Sequence, residues 1–307
     1  MKASVPDAET AVRVPTHGGL KRDPRFVGDL SERGPTRVRV SRLRQAVTIP
    51  ALLCLCLLAP LAYVLARAMS PRAADAVVRW FHRSVLRLFN LRLTVRGQPA
   101  AESPLMFVAN HASYIDVFVL GALVRGYFVA KAEVSNWPVL GKLAGLQRTV
   151  FIDRDPRRTA SQLRLLRERL AAGDNLIVFP EGTSSDGARV LPFRPSLFAA
   201  ATDPEPVPVQ PVSVVYRDYE GRPMAPADRD FYAWYLPMTF LPHFLNGLGT
   251  GAATVEVCFH AVRRSEVTGN RKTLAADCGA QVAAEVEAVL ARAAPASDLA
   301  PVSPPLS

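Results

Sequence analysis

Cysteine is scarce in this chain of 307 residues, and the four present exclude two kinds of chemistry. Cys54 and Cys56 sit inside an apolar run, and Cys258 and Cys278 lie far downstream. No pair has a second pair at metal-ligand spacing, and no disulfide framework is implied. A reduced, cytoplasmic setting fits, and no metal site is expected. Histidine is equally sparse: His17, His82, His111, His243 and His260 are all the imidazoles available. No internal repeat is present. G-x-S-x-G is also missing; Gly182-Thr183-Ser184-Ser185-Asp186-Gly187 only superficially resembles that nucleophile elbow, which argues against a serine hydrolase. Charge is absent from Ala46 to Ala66, a run long enough to cross a hydrocarbon core of about 30 Å.

The excess of positive charge clusters around that run. The formal net charge is +10. Residues 1–45 hold ten Lys/Arg against five Asp/Glu, residues 46–96 hold seven against one, and the remainder is nearly balanced. A nucleic-acid protein places its basic stripe on the folded body, so no nucleic-acid partner is expected. Basic flanks on an apolar segment suit an anionic membrane surface. Residues 1–45 read as a basic disordered segment, and the apolar run begins too late for a secretory signal. Pro50 and Pro60 interrupt the run and both flanks are basic, which predicts a bent hairpin dipping into one leaflet. Ala73 to Asn90 follows as a basic amphipathic helix, with Arg79, Arg83 and Arg87 on one stripe and Trp80 among the apolar positions. Residues 46–90 thus form a membrane-associated element.

From Leu91 the pattern alternates. Strands are expected at Leu91–Val95, Leu105–Ala109, Gly126–Ala130, Thr149–Ile152, Leu176–Phe179, Val207–Val215 and Thr254–Phe259. Helices are expected at Tyr114–Val124, around Pro138–Leu146, at Arg157–Ala172 and at Lys272–Ala293. Ala225–Gly251 reads as aromatic and irregular. The fold class is α/β, a mostly parallel central sheet flanked by helices, spanning residues 91–294 and ending in a loose Pro/Ser-rich tail from 295.

Three polar clusters each follow an expected strand. His111 and Asp116 follow the first; residues five apart on a helix point roughly 140° away from each other, so the two side chains meet only if His111 precedes the helix and Asp116 lies in its first turn. Ser113-x-x-Asp116 also has the form of a capping box, which needs no catalysis. Asp153-Arg154 follows the second, and by its spacing alone it reads more readily as a solvated turn than as a site. Glu181 to Gly187 follows the third. These residues are loop formers, but a carboxylate directly after a buried strand needs a partner, and Arg154 suits it. If the strands are parallel, all three clusters open on one sheet edge.

These residues resemble the ordered motifs of the glycerolipid acyltransferases. His111 to Asp116 matches HxxxxD, Val150-Phe151-Ile152-Asp153-Arg154 the second motif, Phe179-Pro180-Glu181-Gly182-Thr183 the FPEGT motif, and Val207 to Val212 the fourth; Leu191-Pro192-Phe193-Arg194 matches the stretch after FPEGT. The resemblance covers roughly Leu91 to Val215. It implies acyl transfer from acyl-CoA or acyl carrier protein, used as a substrate with no bound cofactor, to the hydroxyl of a lysolipid. His111 is then the general base and Asp116 its orienting partner. Arg154, Glu181, Gly182 and Thr183 are the acceptor-binding residues. The expected acceptor is 1-acyl-glycerol-3-phosphate, giving phosphatidate. The family pattern reads FPEGTRS, however, and this chain has Ser184 where the arginine falls. That makes lyso-ornithine lipid the alternative acceptor, unless Arg194 or Lys131 supplies the charge. The resemblance further implies a two-helix element bound to membrane lipids, on the cytoplasmic face of the inner membrane, monotopic or single-span. A non-catalytic lipid-binding scaffold is the remaining alternative.

Overall fold

In the strand nearest His111, successive side chains enter two different cores. The computed structural model describes residues 36–153, 159–202, 205–235 and 238–293. Leu105, Phe107 and Ala109 point into one apolar cluster, and Met106 and Val108 into the other. A sheet covered on both faces requires such an unbroken apolar run.

The chain begins with helix α1 (Arg42–Met69), capped by Ser41, whose Oγ accepts from Arg44 N at 3.2 Å. Ser70 ends α1 and caps α2 (Pro71–Leu88), with Pro71 in the favoured first position. Next come β1 (Leu91–Arg96), β2 (Met106–Ala109), α3 (Ile115–Leu123), β3 (Tyr127–Lys131), a 3-10 turn at Ala132–Asn136, α4 (Leu140–Leu146) and β4 (Val150–Ile152). Then follow α5 (Thr159–Ala171), β5 (Leu176–Val178), α6 (Pro195–Phe198), β6 (Val209–Tyr219), the two-residue β7 (Arg222–Pro223) and α7 (Pro226–Arg229). The chain closes with α8 (Phe240–Leu248), β8 (Ala253–Phe259), α9 (Ser265–Thr268) and α10 (Arg271–Ala293).

The strand order is β1-β8-β6-β2-β5-β3-β4, with β7 on β6. Strands β6, β2, β5, β3 and β4 are parallel; β8 pairs antiparallel with β6 and parallel with β1. The expected α/β class with a mostly parallel sheet is therefore the observed one. One face carries α2 and α3. The other carries α5 and α10, the latter through Leu274, Cys278, Val282, Val286 and Val289, a stripe at helical spacing.

Three expectations change. Pro50 and Pro60 do not fold the apolar run back on itself; α1 continues through both, and the hairpin is made by α1 against α2, turning at Ser70. A proline removes one helical hydrogen bond, a loss that packing along the length of α2 offsets. Residues 36–45 are not loose. Arg37 and Thr36 bind the buried Asp228, Val38 is buried, and Ser41 N donates to Gly249 O. Ala225–Gly251 contains the helices α7 and α8. The disorder expected of residues 1–35 and the tail from 295 lie outside the described residues.

Candidate active site

Asn110 sets the start of the site. Its buried amide donates to Val214 O at 2.9 Å and accepts from Val214 N at 2.8 Å, so the side chain continues the β2–β6 pairing one residue past the strand. His111 is thereby launched off the carboxyl end of β2, and Asp116 falls in the first turn of α3. His111 Nδ1 lies 2.9 Å from Asp116 Oδ2. A carboxylate accepts only, so Nδ1 carries the proton and Nε2 holds its lone pair free. Nε2 has no hydrogen-bond partner among the described residues. The ring is 22% exposed, and Asp116 is fully buried.

Asp116 is also a helix cap. Its Oδ2 accepts from the backbone N–H groups of Ala112 and Ser113 at 2.8 and 2.9 Å. Capping and histidine orientation are one arrangement here, and the backbone amides hold the carboxylate that holds the ring. Phe179 stacks on the His111 ring at a centroid distance of 4.1 Å and 20° between planes, fixing its tilt.

The FPEGT segment lies on the neighbouring strand. Glu181 Oε1 accepts from His111 N at 2.7 Å and Oε2 from Leu191 N at 2.9 Å. The described partners of this buried carboxyl are backbone N–H groups; the expected partner, Arg154, lies outside the described residues. Glu181 braces two loops, and burial pushes its pKa up to about 8 despite those two donors. Gly182 has φ +66°, and a Cβ there would meet the Arg194 guanidinium at 3.0 Å, so glycine is required. Its N–H donates to Phe179 O, and the N–H groups of Thr183 and Ser184 have no partner among the described residues. Ser185 N donates to His111 O, and Gly187 packs on Ala112.

The three clusters do share one edge, since β2, β5 and β4 are parallel. His111 and Glu181 stand on adjacent strands. Asp153 is two strands beyond Glu181, and Lys131 is exposed at the end of β3 between them. Arg194 is exposed beside Gly182.

Sequence reasoning missed Tyr216, whose hydroxyl donates to Asp116 Oδ1 at 2.7 Å from the middle of β6. It also missed the bond from Trp234 N to Ala112 O, which docks the aromatic segment on the histidine loop. Trp234, Phe240 and Phe244 surround Tyr114 edge-on or tilted. His243 is buried among them, donating from Nε2 to Ala233 O and accepting at Nδ1 from Tyr114. Burial lowers its pKa to about 4, so it is a neutral structural group. Among the described residues no group of His, Cys, Asp and Glu could hold a metal ion.

A histidine–aspartate pair at the carboxyl edge of a parallel sheet, with no serine hydroxyl bonded to Nε2 among the described residues, suits direct transfer to a bound hydroxyl. A family model described as Acyltransferase matches residues 92–215. The lyso-ornithine lipid O-acyltransferase of Brucella abortus (strain 2308) is 39% identical, over 69% of this chain and 82% of that protein. The protein of the same name from Rhodobacter capsulatus is 42% identical, over 65% and 72%. The 1-acyl-sn-glycerol-3-phosphate acyltransferase of Neisseria meningitidis serogroup B is 37% identical, over 50% and 60%. The crystal structure of the acyltransferase PlsC from Thermotoga maritima superposes with a TM-score of 0.61, over 82% of this chain and 97% of that one, and at 23% identity shows the shared fold. The chain belongs to the acyltransferase family. It is an O-acyltransferase.

Proposed function

We propose that the protein transfers an acyl group from a thioester to the free hydroxyl of a lysolipid, and that the acceptor is lyso-ornithine lipid. The observation that carries the chemistry is the bare Nε2 of His111, held by a fully buried Asp116. Nε2 takes the proton as the hydroxyl oxygen attacks the thioester carbon. Asp116 stabilises the imidazolium that results. The tetrahedral adduct then expels the thiolate, which takes that proton back from His111, so ester and free thiol leave with no covalent enzyme intermediate. The N–H groups of Thr183 and Ser184, without a partner among the described residues, are the donors assigned here to the developing oxyanion.

For the acceptor, the carrying residue is Ser184. A phosphate monoester brings close to two negative charges, and the family pattern places an arginine at this position. An ornithine headgroup carries one carboxylate and one ammonium, so it needs less positive charge, and Arg194, Arg154 or Lys131 can meet the carboxylate. The curated relatives from Brucella abortus and Rhodobacter capsulatus support the same reading through their names. Lysophosphatidate is the second reading, favoured by the Neisseria relative. The donor is acyl carrier protein or acyl-CoA.

The protein works on a membrane. Along α1, Leu43, Val47, Leu53, Leu57, Leu61, Val64 and Leu65 are exposed, in a helix apolar and long enough to cross a bilayer. A cytoplasmic face of the inner membrane follows from a cytosolic thioester donor.

The test is acyl transfer by purified protein in detergent, with labelled acyl carrier protein and acyl-CoA each offered to both lysolipids. Turnover of lyso-ornithine lipid is expected. Turnover of lysophosphatidate alone overturns the acceptor, and full activity in H111A overturns the chemistry.

A further inference from the structure

The arginine stripe of α2 divides into two environments. Arg83 and Arg87 are exposed, but Arg79 is half-buried and lines a cleft of about 520 Å³. The cleft lies between the α1–α2 turn and the amino ends of β2, β3 and β5, bounded by residues 100–103, 125–128 and 173–175. His111 stands at the opposite, carboxyl edge of the sheet. The length of β2, about 13 Å, separates the two sites at minimum.

The charges in the cleft do not cancel. Arg67, Arg79, Arg125 and Arg148 line it together with Asp75, Glu102 and Asp174. Each carboxylate is already committed: Asp75 to Arg125 at 2.6 Å, Glu102 to Arg264, and Asp174 to Arg148 at 2.9 Å as well as to Arg169. Arg148 is further held by the Tyr127 hydroxyl. Buried His82 spends its Nε2 on Gln147 and, with its pKa lowered to about 4 by burial, adds no charge at neutral pH. Arg67 and Arg79 have no ion pair or hydrogen bond among the described residues. Two uncompensated guanidinium groups from neighbouring helices in a polar cleft suit an anion, and their planar forks suit phosphate oxygens.

The walls indicate the kind of anion. Tyr63 and Arg67, one turn apart, face the cleft, while Leu61, Val64 and Leu65 on the same turns are exposed apolar surface. A ligand charged at one end and apolar at the other matches both. We propose that the cleft is a second lipid site, distinct from the catalytic one, which seats the phosphate headgroup of an anionic bilayer lipid on Arg67 and Arg79 with its acyl chains along α1.

The test compares full-length wild type, R67Q/R79Q and R83Q/R87Q for binding to phosphatidylcholine vesicles with and without a minor share of phosphatidylglycerol. The two double variants remove the same charge from the same region. A diffuse attraction weakens equally in both; a seated headgroup weakens about tenfold more in R67Q/R79Q, because its charge-assisted hydrogen bonds go with it. Equal losses overturn the proposal. A second arm follows thermal unfolding in inorganic phosphate: stabilisation of wild type but not of R67Q/R79Q, with equal vesicle binding, assigns the cleft to free phosphate and overturns the lipid. Acyl transfer in detergent is expected to be unchanged in both variants, which certifies the fold and separates this outcome from any failure of the acyl-transfer reading. Arg67 is exposed, so R67Q alone carries the comparison if the double variant does not fold.

Discussion

Tyr216 and His111 hold opposite oxygens of the same carboxylate: the phenol donates to Asp116 Oδ1 at 2.7 Å, and the imidazole to Oδ2 at 2.9 Å. Phenylalanine at 216 leaves Oδ1 of a fully buried carboxylate unsatisfied. Y216F is expected to lose about 1–3 kcal/mol of stability and about tenfold in kcat with KM nearly unchanged, because the hydroxyl acts through the histidine rather than on substrate. Denaturant unfolding and steady-state kinetics read both; a KM effect alone would show that Tyr216 contacts the acceptor instead.

His111 is partly exposed; its ring stacks on Phe179 and donates to Asp116 Oδ2, and that oxygen keeps the Ala112 and Ser113 N–H donors when the ring is removed. H111A is expected to lower kcat by about a thousandfold or more while leaving the unfolding midpoint within about 1 kcal/mol of wild type. D116N is expected to fail on both counts, since an amide presents a donor toward the Ala112 and Ser113 N–H groups or toward Nδ1.

Stability is expected to peak near pH 6.5. Burial lowers the pKa of His82 and of His243 from 6.5 to about 4. The unfolded chain takes up those protons below 6.5 and the folded chain refuses them, so stability is full above 6.5 and lost as pH falls toward 4. That gap corresponds to about 3 kcal/mol per ring. Glu181 acts oppositely: its pKa is raised from 4.5 to about 8, so the stability it contributes is full below 4.5 and lost as pH rises through 8. Two rings outweigh one carboxyl below 6.5, and the carboxyl acts alone above. Urea titrations across this range give the profile. H82L should flatten the acid limb and E181Q the alkaline one; an acid limb unmoved in H82L would show that its ring is solvated.

Ser184 is half-buried, and its side chain makes no hydrogen bond among the described residues, so a substitution there breaks none. S184R is expected to raise kcat/KM for lysophosphatidate by about tenfold and to lower it for lyso-ornithine lipid. A variant that gains on neither acceptor would place the headgroup away from this loop.

How much could be read in advance divides by range. The five-residue spacing of His111 and Asp116 already required a loop followed by a first helical turn, and that is their geometry. Phe179 to Gly187 was visible as a cluster because its residues are contiguous. Tyr216 was not, since nothing local distinguishes a strand tyrosine that meets a carboxylate 100 residues away from one that packs a core. The partners of Glu181 were hidden for a related reason: they are backbone amides, which every sequence contains and none displays. Two local signals were misjudged. Pro242, in the first turn of α8, is a tolerated position and concealed the helical spacing of Phe240, Phe244 and Leu248. Pro50 and Pro60 suggested breaks, but an apolar helix packed along its length absorbs them.

Gly121 of α3 has no side chain because the His82 ring of α2 occupies that space; a Cβ would lie 2.5 Å from it. The helix that bears Asp116 and the hairpin that carries the exposed apolar surface of α1 are therefore keyed together like a tooth in its socket. A tilt of the hairpin presses that ring on α3, so the apolar surface of α1 and the His111–Asp116 pair are mechanically linked through a single close contact.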